Sequence, residues 1–172
     1  MYPKSGQCQY QSTVQREALQ EAQANYTVAV VGDVTAEDEL WDTYAEWARR
    51  GLRDKLVESE TFTRVIEGQA GSPPPDALIV TARIVEADRG NAAARWIVGF
   101  GAGRAHITSE IELSEADGKD LGNFSVRRAY SGGLGIGGAG LLDMEELARL
   151  VGEETADAIV EWTVSGNLES SD

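Results

Sequence analysis

Residues 104–130 read RAHITSEIELSEADGKDLGNFSVRRAY, and their alternation decides the fold class. Ala105, Ile107, Ile111 and Leu113 fall on one side of an extended chain; His106, Thr108, Glu110 and Glu112 fall on the other. A period of two with one apolar and one polar side marks a strand with a buried and a wet face. The Ala116-Asp117-Gly118-Lys119 stretch supplies a hairpin turn, because Asp-Gly accepts positive φ. Residues 121–130 return as a second strand, with Phe124 and Val126 on the core side.

Upstream, residues 77–87 (ALIVTARIVEA) place Leu78, Val80, Ala82 and Ile84 on one face and add a third strand. Residues 62–67 form a short strand, and residues 68–76 a loop, since three consecutive prolines exclude a helix or a central strand. Residues 26–31 (YTVAVV) are apolar or small on both faces, as in a strand covered on two sides, and Gly32 and Asp33 end it. Thr35 then reads as an N-cap with Asp38 three residues on, opening a helix over residues 36–58. Its apolar stripe is Trp41, Tyr44, Ala45, Ala48, Leu52 and Leu56, with Trp47 off the stripe as a surface candidate. Downstream, a glycine-rich loop spans residues 131–142. Asp143 caps a second amphipathic helix over residues 144–164, and Gly166 stops it. The expected order is β-α-β-β-β-β-α, an α+β fold with a mixed sheet and two amphipathic helices packed on one face.

The chain has 172 residues, 42% of them hydrophobic, which suits one domain of ordinary size. Residues 1–24, rich in Gln and Ser, read as a polar, flexible tail. Residues 25–166 form the single domain, and residues 167–172 fray. A net charge of -14, from 29 acids against 15 bases, argues against nucleic acid and against anionic membrane surfaces. No apolar run reaches the ~18 residues of a membrane-spanning helix, and residues 1–25 hold no signal-peptide core.

Chemistry finds few candidates. One His and one Cys make a zinc site or a nucleophile–base pair unsupported, so neither a catalytic centre, a metal nor a cofactor is expected. His106 reads as a surface histidine. The acids at 37–39 and at 143, 145 and 146 complement helix dipoles. Gly135-Ile-Gly137-Gly138-Ala-Gly140 fits the dinucleotide fingerprint in spacing, but no later strand completes the βαβ unit it requires. Nucleotide or ligand binding by the 131–142 loop remains the alternative; a plain loop, or a close contact with a second protomer through Gly133, Gly135 and Gly137, are the other readings.

Residues 92–103 (AAARWIVGFGAG) are more unusual, because a connector between strands need not carry Trp96, Ile97, Val98 and Phe100. These groups either fold back onto the core or form an interface. Gly99, Gly101 and Gly103 permit close approach of another backbone. The interface reading gives Trp96, Ile97 and Phe100 the anchoring role and Arg95 an ion pair across the contact. Cys8 is either an inert tail residue or a candidate attachment point.

The stretch 77–126, with Arg95, Gly99-Phe100-Gly101-Ala102-Gly103, Asp117-Gly118-Lys119 and the glycines of 132–140, resembles the bacterial Domain of Unknown Function 4410 family. The resemblance extends from Tyr26 onward. It implies a small secreted or lipid-anchored protein of the periplasm or outer envelope of a Gram-negative-type bacterium, without enzymatic activity. It also implies a leader and often a lipobox cysteine; Met1 reads as a start that replaces a removed leader. Here Gln7 precedes Cys8 where a lipobox carries a small residue. The layout is also similar to envelope lipoproteins of the curli-secretion and transport-auxiliary type, an analogy of fold alone. The expected function is a non-enzymatic envelope assembly or binding module that forms a homo-oligomer or docks on a larger envelope complex. Its partner is protein, and any membrane association runs through a lipid anchor.

Overall fold

The computed structural model describes residues 9–16, 19–20, 26–68, 72–90, 105–131 and 143–166. These form six strands and two long helices: β1 (Gln9–Arg16), β2 (Val28–Ala36), α1 (Asp42–Glu58), β3 (Arg64–Glu67), β4 (Ala77–Asp88), β5 (His106–Glu115), β6 (Asp120–Ser131) and α2 (Met144–Ser165). A single 3-10 turn, Glu39–Trp41, precedes α1. The strands make one mixed sheet in the order β1-β6-β5-β4-β2-β3. β2 runs parallel to β3 and β4, and the β4, β5, β6 and β1 ladders are antiparallel.

Both helices cover one face. Leu52 and Leu56 of α1, and Leu147, Ile159 and Trp162 of α2, share a core with Leu78, Ile107, Ile111 and Phe124 of the sheet. Each such side chain contributes about 1.5–3 kcal/mol by leaving water. The apolar stripes read from the sequence are the buried ones: Tyr44, Ala45, Ala48, Leu52 and Leu56 in α1, with Trp41 half-buried. The two-faced character of YTVAVV is also met. Ala29 and Val31 enter the main core, while Val28 and Val30 join Ala77 in a smaller cluster on the opposite face.

The helices touch at glycine. A Cβ at Gly51 would lie 2.1 Å from the Arg149 carbonyl oxygen, and one at Gly152 would lie 2.0 Å from that of Ala48. Asp143 caps α2 by accepting from the Glu145 and Glu146 amides, and Gly166 ends it at φ 75. The β5–β6 hairpin turns on Gly118 at φ 86.

Three expectations are corrected. The segment read as a polar tail supplies β1, which pairs with β6 over its whole length, and Val14 and Leu19 are buried in the core. Its few apolar groups suffice because the edge of β6 satisfies its backbone. The Gln20 carbonyl also accepts from the Trp162 indole at 2.7 Å. Second, β2 does not end at Gly32 and Asp33; those residues form a bulge, and Thr35 and Ala36 pair with Arg83 and Ile84. Thr35 therefore belongs to a strand, and Asp38 caps the 3-10 turn instead, accepting from the Leu40 amide. Ladder pairing outweighs a local capping signal worth about 1 kcal/mol. Third, the residue His106 is only 8% exposed. It lies on the expected face, but cross-strand neighbours Asp88 and Ala129 flank it.

Candidate functional site

The sequence candidates Arg95, Trp96, Ile97, Gly99, Phe100, Gly101, Gly103, Gly133, Gly135, Gly137 and Cys8 lie outside the described residues. Their points of attachment lie within them, and the topology gathers those points at one end of the sheet. β4 ends at Asp88, which pairs with His106 at the start of β5. His106 in turn pairs with Ala129 near the end of β6. Ser131, the last residue of β6, pairs with Gln9, the first of β1. The segments 91–104 and 132–142, and the residue Cys8, therefore all leave from neighbouring strand ends. β2 finishes at the same end, because Ala36 pairs with Ile84 in a parallel ladder, so the Glu37–Trp41 turn flanks it too.

A bulge shapes this end. Between Ile84 and Glu86 the register with β5 shifts, and Val85 is the additional residue. Without it, Glu86 and Asp88 would continue the core face of Leu78, Val80 and Ile84. With it, they switch to the outer face beside Thr108 and His106. The Glu86 carboxylate then lies 3.0 Å from His106 Nε2 and accepts from the Thr108 hydroxyl at 3.2 Å. The His106 hydrogen bond, working against burial, holds the Glu86 carboxyl below the ordinary carboxylate range. The Arg89 guanidinium donates to the Tyr44 hydroxyl at 2.9 and 3.2 Å, tying the end of β4 to α1. The Tyr130 amide donates to the Ala105 carbonyl at 2.8 Å, extending the β5–β6 ladder to its margin. The exits of both glycine-rich segments are thus fixed by hydrogen bonds.

A shallow open groove lies beside these exits, lined by Glu37, Asp38, Glu39, Leu40, Trp41 and Val85. Leu40 is 84% exposed and adds an apolar side chain to the groove's rim. The sequence carried a sign of this: Leu40 follows three acids and stands off the buried stripe of α1. Glu86 and Val85 carried no such sign, because the bulge that places them is visible only as a register shift between two strands. Among the described residues, no group of three or more His, Cys, Asp or Glu side chains is placed to hold a metal ion. No helix among them is long and apolar enough to cross a membrane. Chemically, this end offers apolar surface, carboxylates and closely spaced chain exits, which suit contact with another protein.

The sequence of residues 35–133 matches the family model described as domain of unknown function (DUF4410). The chain belongs to that family. The DUF4410 match starts at Thr35 in β2 and stops at Gly133, so it encloses the 91–104 segment and leaves out β1 and α2. Solved structures share the fold at low identity. The PelC dodecamer from Paraburkholderia phytofirmans is 12% identical, with a TM-score of 0.56 over 90% of this chain and 97% of that one. A protein from Xanthomonas campestris assigned to DUF330 is 9% identical, with a TM-score of 0.51 over 88% of this chain and 94% of that one. No protein of curated function matches the DUF4410 chain significantly.

Proposed function

We propose that this chain is a non-enzymatic assembly or binding module of the bacterial cell envelope, self-associating or docking on a larger envelope complex through the glycine-rich end of its sheet. The observation that carries the reading is the convergence of the exits of residues 91–104 and 132–142 at one sheet end. The sequence of these two segments holds Trp96 and Phe100, residue types that anchor contacts, and glycines, which permit close approach of a second backbone. Exposed Leu40 adds an apolar side chain beside that sheet end, on a groove also lined by Glu37, Asp38 and Glu39. The shared fold with a protein that forms a dodecamer supports self-association as a reading. In this reading the chain has no catalytic role and sits in the periplasm or outer envelope, as the family resemblance of its sequence implies, with Cys8 as the candidate lipid attachment point.

Light scattering tests the reading. The wild-type chain is expected at a multiple of 18.5 kDa. The Trp96→Asp/Phe100→Asp double variant is expected at a lower mass than wild type, with an unchanged far-ultraviolet spectrum. Two monomers, wild type and variant alike, would remove self-association from the proposal. Thermal shifts with nucleotides test the alternative use of the 131–142 loop, since a ligand at 100 times its Kd stabilises the fold by about 2.7 kcal/mol.

A further inference from the structure

We propose that the outer edge of β1 pairs with the β1 edge of a second copy, antiparallel and about a two-fold axis, joining two six-stranded sheets into one. This rests on the self-association reading and assigns it a second contact surface. β1 is the terminal strand of the sheet, and no described strand pairs with its outer side. Its eight residues pair with β6 in unbroken register, whereas the β2–β4, β4–β5 and β5–β6 ladders are each interrupted. A regular edge of this length, with no described strand on its outer side, presents a row of backbone donors and acceptors that templates a further strand. The opposite edge, β3, is protected in the usual ways: it is four residues long and bracketed by Arg64 and Glu67. β1 carries no such device. It has no proline, and its single charge is the terminal Arg16.

Charge selects the occupant. Each copy has a net charge of -14, so two copies repel wherever carboxylates meet. Every other described strand and both long helices carry at least one carboxylate, for example Asp33 in β2, Glu67 in β3, Asp120 in β6 and Asp42 in α1. The β1 sequence QYQSTVQR carries none. It is therefore the element on which a second acidic copy can settle with least repulsion. Antiparallel self-pairing also satisfies two-fold symmetry without a second complementary surface. Thr13, half-buried, and Gln15, exposed, suit a solvated ladder, in which cross-strand polar pairs are favourable.

Two double variants test the contact. Thr13 is half-buried and Gln15 exposed, so both positions accept charge without entering the core. Thr13→Lys/Gln15→Lys alone, and Thr13→Glu/Gln15→Glu alone, are each expected to show half the wild-type mass in light scattering with an unchanged fold by circular dichroism. An equimolar mixture of the two is expected to recover the full mass, because opposite charges then face each other across the junction. Wild-type mass in both variants, or a mixture that stays at half mass, overturns β1 pairing and leaves self-association standing. A monomeric wild type overturns self-association and β1 pairing together.

Discussion

Gly51 and Gly152 let the backbones of α1 and α2 meet with no side chain between them, which binds the helical layer into one slab. A methyl group at position 152 would sit 2.0 Å from the Ala48 carbonyl oxygen and 2.7 Å from the Leu52 amide nitrogen, and neither can move without shifting a helix. Gly152→Ala is therefore expected to destabilise the fold by about 3 kcal/mol, because overpacking against backbone exceeds the ~1 kcal/mol that alanine gains in helix propensity. A urea midpoint measurement reads the difference, and a neutral result would mean the helices stand further apart. Tyr26 makes a second residue-level prediction. Its ring stacks on Trp162 with centroids 6.0 Å apart, and its hydroxyl donates to Glu115 at 3.3 Å. Burial first, then the Glu115 charge and the hydrogen bond, push the phenol up to about 12. A group raised above its ordinary value of 10.0 contributes its stability in full below that pH, and the contribution is lost as pH rises through about 12. Absorbance at the tyrosinate band should show a tyrosine ionising late, at about 12, in wild type, and Tyr26→Phe should remove that step. A wild-type titration complete by the ordinary phenol range would contradict the packing described for Tyr26.

At the scale of elements, capping chemistry was the most legible feature of the sequence. Asp143 bonds the amides of Glu145 and Glu146 as an N-cap should, so Asp143→Ala is expected to cost about 1 kcal/mol, read by thermal or urea unfolding. The same chemistry misled at Thr35, because whether that residue caps a helix or extends a strand depends on Arg83, some fifty residues away. Alternation gave β4, β5 and β6 and their core faces, since a period of two is a local property of the chain. It did not give the bulge at Val85, which turns Glu86 and Asp88 away from the core, because an added residue in one strand is defined only against its partner. Nor did it give β1, whose eight residues contain Val14 and Tyr10 as their large apolar groups. β1 exists because β6 offers it an edge, and composition alone does not reveal an available edge.

The whole molecule is a sheet with one face sealed by two helices and one end carrying the chain exits. The placement of the candidate site was legible only in part: Trp96, Phe100 and the glycines stand out by composition, but their common point of departure follows from strand order. With a charge of -14, copies of this chain repel at long range and associate only where apolar or uncharged surface is available. β1, which carries no carboxylate, has such surface, and the sheet end beside exposed Leu40 is the other surface proposed for contact. Sedimentation equilibrium of the wild-type chain across a hundredfold concentration range, at physiological salt, tests this most directly. The prediction is a discrete species at a multiple of 18.5 kDa, populated more fully as salt screens the carboxylates. A single 18.5 kDa species throughout, indifferent to concentration and salt, would contradict it.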